Sequence, residues 1–482
     1  MTRPRSFRIM GACLVRVKSV CCLLACLPLA CKTILVPNPP GQRAAQPVSR
    51  PPVARPAPSD TVPPAPCGAD TLDFATAFVR PPHARPQSPA GVQTRGRTDA
   101  RVILVRAAGS IRLTLPAQWS ARTPRGRSRF GGGGAVRASR FKGTHTASFV
   151  LAPRRSVTLW LPCTLQTAQP DQHIGVDSLM YRGALIVAPE GAESLCAVNL
   201  VPMEEYLRGV VPLEMGSRGE ELIEALKVQA VAARTYAYRK MLMRAGSHYD
   251  LAATVADQVY GGVLAENPVA DRAVKETNGL VLMYDGQPIV AYYHSTCGGR
   301  TAAVEQVWDK PAEPYLRSVS DLDPNGVPWC AASRYTRWTY TWQRDQLSSY
   351  VTKYGQSVGC GGRFDGRLEK MSIVSRWPCG RVQRVRVVGR QGTGDFCGDK
   401  VRFALRRPQQ NLPILPSARF DIVRQDGNGI TVRGSGYGHG VGMCQMGALG
   451  RAGAGQGFAQ ILAAYYTGAR LHRVGSVAQA RH

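Results

Sequence analysis

The chain has 482 residues, 44% of them hydrophobic and 7% aromatic, with 61 Lys and Arg against 32 Asp and Glu for a formal net charge of +29. That length admits two or three domains, and the charge leaves three classes of anionic partner: nucleic acid, phospholipid headgroups or the matrix of a bacterial wall. The aromatic residues are not interleaved with the arginines as base-stacking platforms, and no zinc-finger spacing or RNA-binding aromatic signature occurs, so no nucleic acid is expected among the partners.

The basic excess is uneven: residues 1–160 hold 25 basic and 4 acidic residues, and the rest is only mildly basic. Arg3, Arg5, Arg8, Arg16 and Lys18 flank an apolar run at residues 19–30 that is too short for a permanent membrane helix, which predicts an export signal over residues 1–31. Leu23-Leu24-Ala25-Cys26 and Pro28-Leu29-Ala30-Cys31 both place a small residue before Cys, as bacterial lipoprotein signals do. The expectation is an exported protein of the bacterial cell envelope, in the periplasm or on the outer face of a membrane, with a lipid anchor at Cys31 or Cys26 as one form and a plain secreted product as the other.

Residues 32–100 are rich in Pro, Ala and Arg and read as an extended tether. A β-rich leading module is expected over residues 101–200, with strands at 101–106, 111–115, 156–161, 184–187 and 195–201, whereas residues 123–141, with Gly131-Gly132-Gly133-Gly134 and many arginines, read as a loop. A long helix is expected over residues 217–244: Ser217 and Glu220 have capping-box spacing, and Leu222, Leu226, Ala230, Ala233 and Ala237 recur at helical intervals. Asp285-Gly286 between two β-prone runs marks a hairpin. Residues 324–397 read as an insertion, residues 458–466 as a last helix, and residues 472–482 as a tail. The fold class expected is α+β.

Nine cysteines follow residue 31. In an oxidising compartment Cys330, Cys360, Cys379 and Cys397 are expected to make two bridges in one of three connectivities, and the odd total leaves at least one thiol over.

Glu214 follows Val210-Val211-Pro212-Leu213 and precedes the long helix. Shielding there favours the neutral carboxyl that a general acid needs, while a helix start favours the anion. His439 stands among Gly436, Gly438, Gly440, Gly442 and Gly447, whose missing side chains let a backbone approach a ligand closely. The spacing is not that of a phosphate loop, so a sugar-lined groove is the better expectation, with Tyr437 stacking on a pyranose and Gln445 bonding an acetamido group. Gln229 and Arg234 are candidates for sugar hydroxyls or carboxylates, or else for packing of the helix. His294 stands in His294-Ser-Thr-Cys297-Gly-Gly and is a further substrate-contact candidate. His294, Cys297, His439 and Cys444 form a set suited to tetrahedral zinc, against which stand a Cys297–Cys444 disulfide and simple buried thiols. Asp257 and Gln258 either line the groove or serve a turn.

The segments 209–215, 229–237, 257–262, 294–301 and 436–447, in this order, resemble the SpoIID/LytB family of cell-wall proteins, and the resemblance extends over about residues 101–471. It implies a SpoIID-like catalytic domain over residues 201–471 with Glu214 as catalytic acid. The implied activity is that of a peptidoglycan lytic transglycosylase that leaves anhydro-muramic ends and requires no cofactor. Ordinary glycosidases need two carboxylates, but here the sugar's own 6-hydroxyl is the nucleophile, so one suffices. The family also implies the alternative of a non-catalytic, wall-binding enhancer of an N-acetylmuramoyl-L-alanine amidase. Glycan strands, and an amidase or another wall hydrolase, are the implied partners. Gly216-Ser217, where the family often has Pro after Met, Cys297 in a position often held by Ser, the extra cysteines and the insertion all depart from the family pattern.

Overall fold

Ile111, Leu113 and Leu115 alternate with Ser110, Arg112 and Thr114, and the strand Ser110–Leu115 buries the first three and exposes the others. This alternation recurs through the leading module of the computed structural model, which describes residues 98–152, 155–409 and 413–474. The expected signal, most of the tether, both lipidation cysteines and most of the tail lie outside the described residues.

Two antiparallel arrays form the module. One runs in the order Asp99–Ala108, Ser194–Pro202, Ala184–Glu190, Cys163–Thr167, Gln118–Thr123 and Gly126–Gly131, with Leu251–Ala252 added in parallel beside the first strand. The other runs in the order Leu179–Tyr181, Ile174–Val176, Ser110–Leu115, Gly134–Arg140, Thr146–Ala152 and Arg155–Trp160. Val102, Trp119, Leu165 and Val187 from the first and Ile111, Leu113, Val136 and Phe149 from the second belong to one apolar core. The expected loop at residues 123–141 is instead largely strand. Val136 and Ala138 supply buried alternate positions, Phe130 stacks on Trp119 at 4.3 Å, and the arginines take the solvent side. Backbone pairing needs only that alternation, which the glycines and arginines mask in the sequence.

Strand Ser194–Pro202 runs directly into helix α1 (Met203–Arg208), followed by α2 (Val211–Met215) and the long helix α3 (Ile223–Met243). Gly209 joins α1 to α2 where a Cβ would stand 2.6 Å from the Tyr260 ring, so glycine is what lets residues 260–262 close over this junction. The expected capping box does not form: a 3₁₀ turn at Glu220–Leu222 precedes α3, whose first position has no side-chain cap. α3 is buried on nearly every side, its alanines allowing close approach by α4 (Pro268–Glu276) and by strand Leu280–Tyr284. That strand turns at Asp285 and Gly286, both at positive φ, into Gln287–Pro288, as the Asp-Gly pair predicts.

The inserted stretch has a core of its own, including Trp342, Val385, Val387, Phe396, Phe420, Ile430 and Val432. It holds a three-stranded sheet (Trp338–Gln343, Gly429–Gly434, Phe420–Gln425), a four-stranded sheet over residues 359–397, and helices α5 (Arg344–Tyr350) and α6 (Val401–Ala404). This core reaches to Val432, past the expected end at 397, because Gly429–Gly434 is the central strand of the smaller sheet. The chain then returns through the Gly-rich loop to α7 (Gln445–Gly453) and α8 (Phe458–Tyr465), and Arg470–Arg473 pairs with Leu280–Tyr284. A short parallel pair, Tyr293–His294 with Met443–Cys444, joins the two segments flanking the insertion. The architecture is α+β, and no helix among the described residues is long and apolar enough to cross a membrane.

Candidate active site

α2 is a five-residue helix whose Val211, Pro212 and Met215 are buried, with Val210 buried just before it, and this anchors it and leaves Glu214 half-buried. Gly216, at φ +73°, then turns the chain away. Glu214 Oε1 accepts the Val259 N–H at 3.0 Å, and Oε2 accepts from Gln445 Nε2 at 3.3 Å. The Tyr293 hydroxyl is a further donor near this carboxyl and favours its anion. Burial raises the Glu214 pKa above its ordinary value, and the three donors offset only part of that rise. Of the two opposed influences read from the sequence, burial is therefore the larger.

A directed chain of hydrogen bonds backs the carboxyl. Tyr206 O–H donates to Gln258 Oε1 at 3.0 Å, and Gln258 Nε2 donates to the Tyr293 hydroxyl at 3.1 Å. With both oxygens of this chain accepting from behind, the Tyr293 proton is left for Glu214. Gln258 is thus buried behind the site instead of lining the groove. Asp257 closes the turn at residues 252–257, accepting the Ala252 N–H at 3.0 Å, and its carboxylate, 2% exposed, also bonds Lys240 at 2.7 Å, Arg244 at 2.8 Å and the Tyr236 hydroxyl at 2.9 Å.

Gln445 and Gln229 join Glu214. Gln445 Nε2 also approaches the Glu214 carbonyl at 3.2 Å and Gln229 Oε1 at 3.4 Å, while Gln229 is fully buried on α3. Arg234 is not part of this group, contrary to its candidacy as a substrate contact. It is fully buried and grips Glu204 with two bonds of 2.8 and 2.6 Å while donating to the Leu280 carbonyl at 3.1 Å. Its fork ties α1, α3 and the strand Leu280–Tyr284 together.

The Gly-rich loop lies beside strand Tyr293–His294, close enough that a Cβ on Gly438 would stand 2.9 Å from His294 Cβ. His439 Nδ1 accepts the Val441 N–H at 3.1 Å, which assigns its proton to Nε2. His294 Nδ1 stands 3.2 Å from the Val441 carbonyl, so that ring donates from Nδ1, and its buried Nε2 has no partner among the described residues. Burial first, and then the charges of Arg402 and Arg381, depress the His439 pKa to about 3; burial and His439 likewise hold His294 well below its ordinary value. Both imidazoles are neutral at neutral pH. Tyr437, expected to stack on a sugar, stacks on Tyr335 at 4.3 Å. The aromatic surface against His439 comes instead from Trp308 at 4.9 Å and Tyr292 at 6.1 Å, with Lys310 Nζ bonding the Tyr292 hydroxyl at 2.7 Å.

Among the described residues, the expected zinc set of His294, Cys297, His439 and Cys444 does not come together as one cluster of ligand atoms. Cys297 and Cys444 meet Cys330 instead, the three sulfurs lying within 4.8 Å of one another. Nor do Cys297 and Cys444 form a disulfide. Of the two bridges expected among Cys330, Cys360, Cys379 and Cys397, only Cys360–Cys397 forms, across paired strands of the inserted sheet; Cys330 and Cys379 are buried thiols. Sequence reasoning missed Tyr206, Tyr293, Trp308 and Cys330. Tyr293 was within reach, since it adjoins His294.

A family model described as stage II sporulation protein (SpoIID) matches residues 192–284, and one for a domain of unknown function (DUF8618) matches residues 330–442, the inserted unit. An uncharacterized protein of Brachyspira hyodysenteriae is 33% identical over 296 residues, covering 61% of this chain and 72% of that protein. Stage II sporulation protein D of Bacillus amyloliquefaciens is 32% identical over 287 residues, covering 56% of this chain and 74% of that protein. The amidase enhancer of Bacillus subtilis is 29% identical over 293 residues, which span 55% of this chain but 40% of that longer protein. With the matched region containing α2, Glu214 and the relay of Tyr206 and Gln258, the chain belongs to the SpoIID/LytB family.

Proposed function

We propose that this protein is an exported peptidoglycan lytic transglycosylase with Glu214 as its single acid and base. The observation that carries the reading is one desolvated carboxyl of raised pKa, held by a backbone N–H and an amide with a tyrosine hydroxyl nearby. No carboxylate is among its bonded partners, and neighbouring Asp257 is committed to Lys240 and Arg244. Protonated Glu214 gives its proton to the glycosidic oxygen as the bond from C1 breaks. The resulting carboxylate then takes the proton of the muramoyl 6-hydroxyl as that oxygen bonds C1, closing an anhydro ring without water. The donors from Val259, Gln445 and Tyr293 stabilise the anion between these two steps. His439, Trp308 and Tyr292, with Lys310 beside them, offer an aromatic surface for a neighbouring sugar.

The test is mass analysis of products from purified sacculi. Wild type should release anhydro-muropeptides, and Glu214→Gln should release none while keeping its circular dichroism and a cooperative melt. Equal release by the variant overturns the reading. A second reading, a wall-binding enhancer of an amidase, is favoured by the relative that carries that name. It predicts no soluble product from the wild type alone and a faster amidase when the two are mixed.

A further inference from the structure

Cys297, Cys330 and Cys444, separated by 33 and 114 positions, meet beneath the Gly-rich loop. Cys297 lies just after strand Tyr293–His294, Cys330 stands where the chain leaves for the inserted unit, and Cys444 caps the start of α7. All three are buried. The Cys297 and Cys330 sulfurs are 3.7 Å apart. Sulfurs at the corners of a tetrahedral zinc site, each about 2.3 Å from the metal, stand about 3.8 Å from one another, whereas a disulfide joins sulfurs about 2.0 Å apart.

Backbone donors converge on the same sulfurs. The N–H groups of Cys297 and Gly447 point at Cys444 Sγ at 3.2 and 3.3 Å, and that of Gly299 points at Cys297 Sγ at 3.2 Å. Such donors stabilise the thiolate, the form that binds a metal, and a buried group of thiolates needs a cation. A disulfide would use two of the three sulfurs and leave the third buried among donors. Asp321 borders the cluster, with Oδ2 3.2 Å from Cys297 Sγ, and is held by the Tyr465 hydroxyl at 2.9 Å and by Arg451 at 3.0 Å. This is the placement of an outer carboxylate that orients a ligand or completes a shell.

We propose that Cys297, Cys330 and Cys444 bind one zinc ion as three thiolates, releasing three protons, with the fourth position on the Asp321 side. The ion is a structural tie. It joins the strand of His294, the root of the inserted unit and the first turn of α7, where Gln445 follows Cys444 and reaches Glu214. The proposal stands apart from the transglycosylase reading, since it needs only the three sulfurs.

The test uses the full chain purified without chelator and kept reduced. Elemental analysis should find one zinc per chain. After exchange, cobalt should give a thiolate-to-metal charge-transfer band of three-sulfur intensity together with the visible bands of a tetrahedral site. Cys330→Ser should lose the metal, and Cys379→Ser, a buried thiol outside the cluster, should keep it. The cobalt spectrum of wild type reads the site even if Cys330→Ser fails to fold. A metal-free reduced wild type that takes up no cobalt overturns the proposal, as does peptide mapping of the exported protein that finds a disulfide within the trio.

Discussion

Gln445 Nε2 stands 3.3 Å from Glu214 Oε2 across 231 positions of sequence, so the carboxyl on α2 is finished by the first residue of α7. The same nitrogen faces the Glu214 carbonyl and Gln229 Oε1, three acceptors for two N–H groups. The site is thus assembled only when the chain returns from the inserted unit, and the position of α7 controls the environment of the acid.

Gln445→Leu tests this coupling. The amide favours the Glu214 anion, so its removal raises the Glu214 pKa further, and the basic limb of the pH–rate profile should move to higher pH. Turnover should fall roughly 10- to 100-fold as one preorganised donor is lost. The profile is measured as anhydro-product release against pH, and an unmoved limb with reduced turnover would assign Gln445 to packing alone.

Much of this was legible in the sequence where a local rule is specific. Asp285-Gly286 fixes its hairpin and alternation fixes the strand at 111–115, whereas Glu214 stands out through the family segment that it resembles. Between the two roles left open for Arg234, substrate contact and helix packing, sequence could not choose, because α3 is enclosed and has no solvent face to set the residue apart. Cys330 could not be assigned, because its partners lie on either side of it at distances set by a strand pair and by the return of the inserted unit. The glycines and arginines of residues 123–141 hid strands whose stability comes from backbone pairing and from two buried side chains.

Arg234→Met separates structure from substrate contact. Glu204 would lose its bidentate partner, and the carbonyls of Leu280 and Ala230 would lose a donor. Removing one member of a buried pair costs roughly 3 to 5 kcal/mol, discounted here because Glu204 is 28% exposed. Denaturant unfolding should show that loss, while glycan affinity of the folded variant stays that of wild type. Unchanged stability with weakened glycan binding would return Arg234 to the groove.

His439 should shape acid stability. Its folded pKa of about 3 lies below the ordinary 6.5, and the groups that face it, Arg402, Arg381, Lys310 and His294, all oppose a further positive charge. Between these two values the unfolded chain binds the proton and the native ring does not, so this residue's contribution is lost as pH falls from about 6.5 towards 3. His439→Gln removes the titration. Its melting temperature should therefore decline less steeply than that of wild type over this window, and parallel curves would show that the ring is solvated.

Glu214 works in the opposite direction, which separates the two residues in one titration. Burial lifts its folded pKa above the ordinary 4.5, so the native state holds this proton more tightly than the unfolded chain does. The stability so gained is present at low pH and is lost as pH rises from about 4.5 through the folded value, beyond which a desolvated anion remains. Glu214→Gln keeps the shape and discards the charge. The variant should melt above wild type at pH 8, and the difference should shrink towards zero at pH 4, where both side chains are neutral. Melting curves across that range, read beside the loss of anhydro-product release, would show an acid whose environment favours its reaction at the expense of the fold; a difference independent of pH would mean that Glu214 is not desolvated.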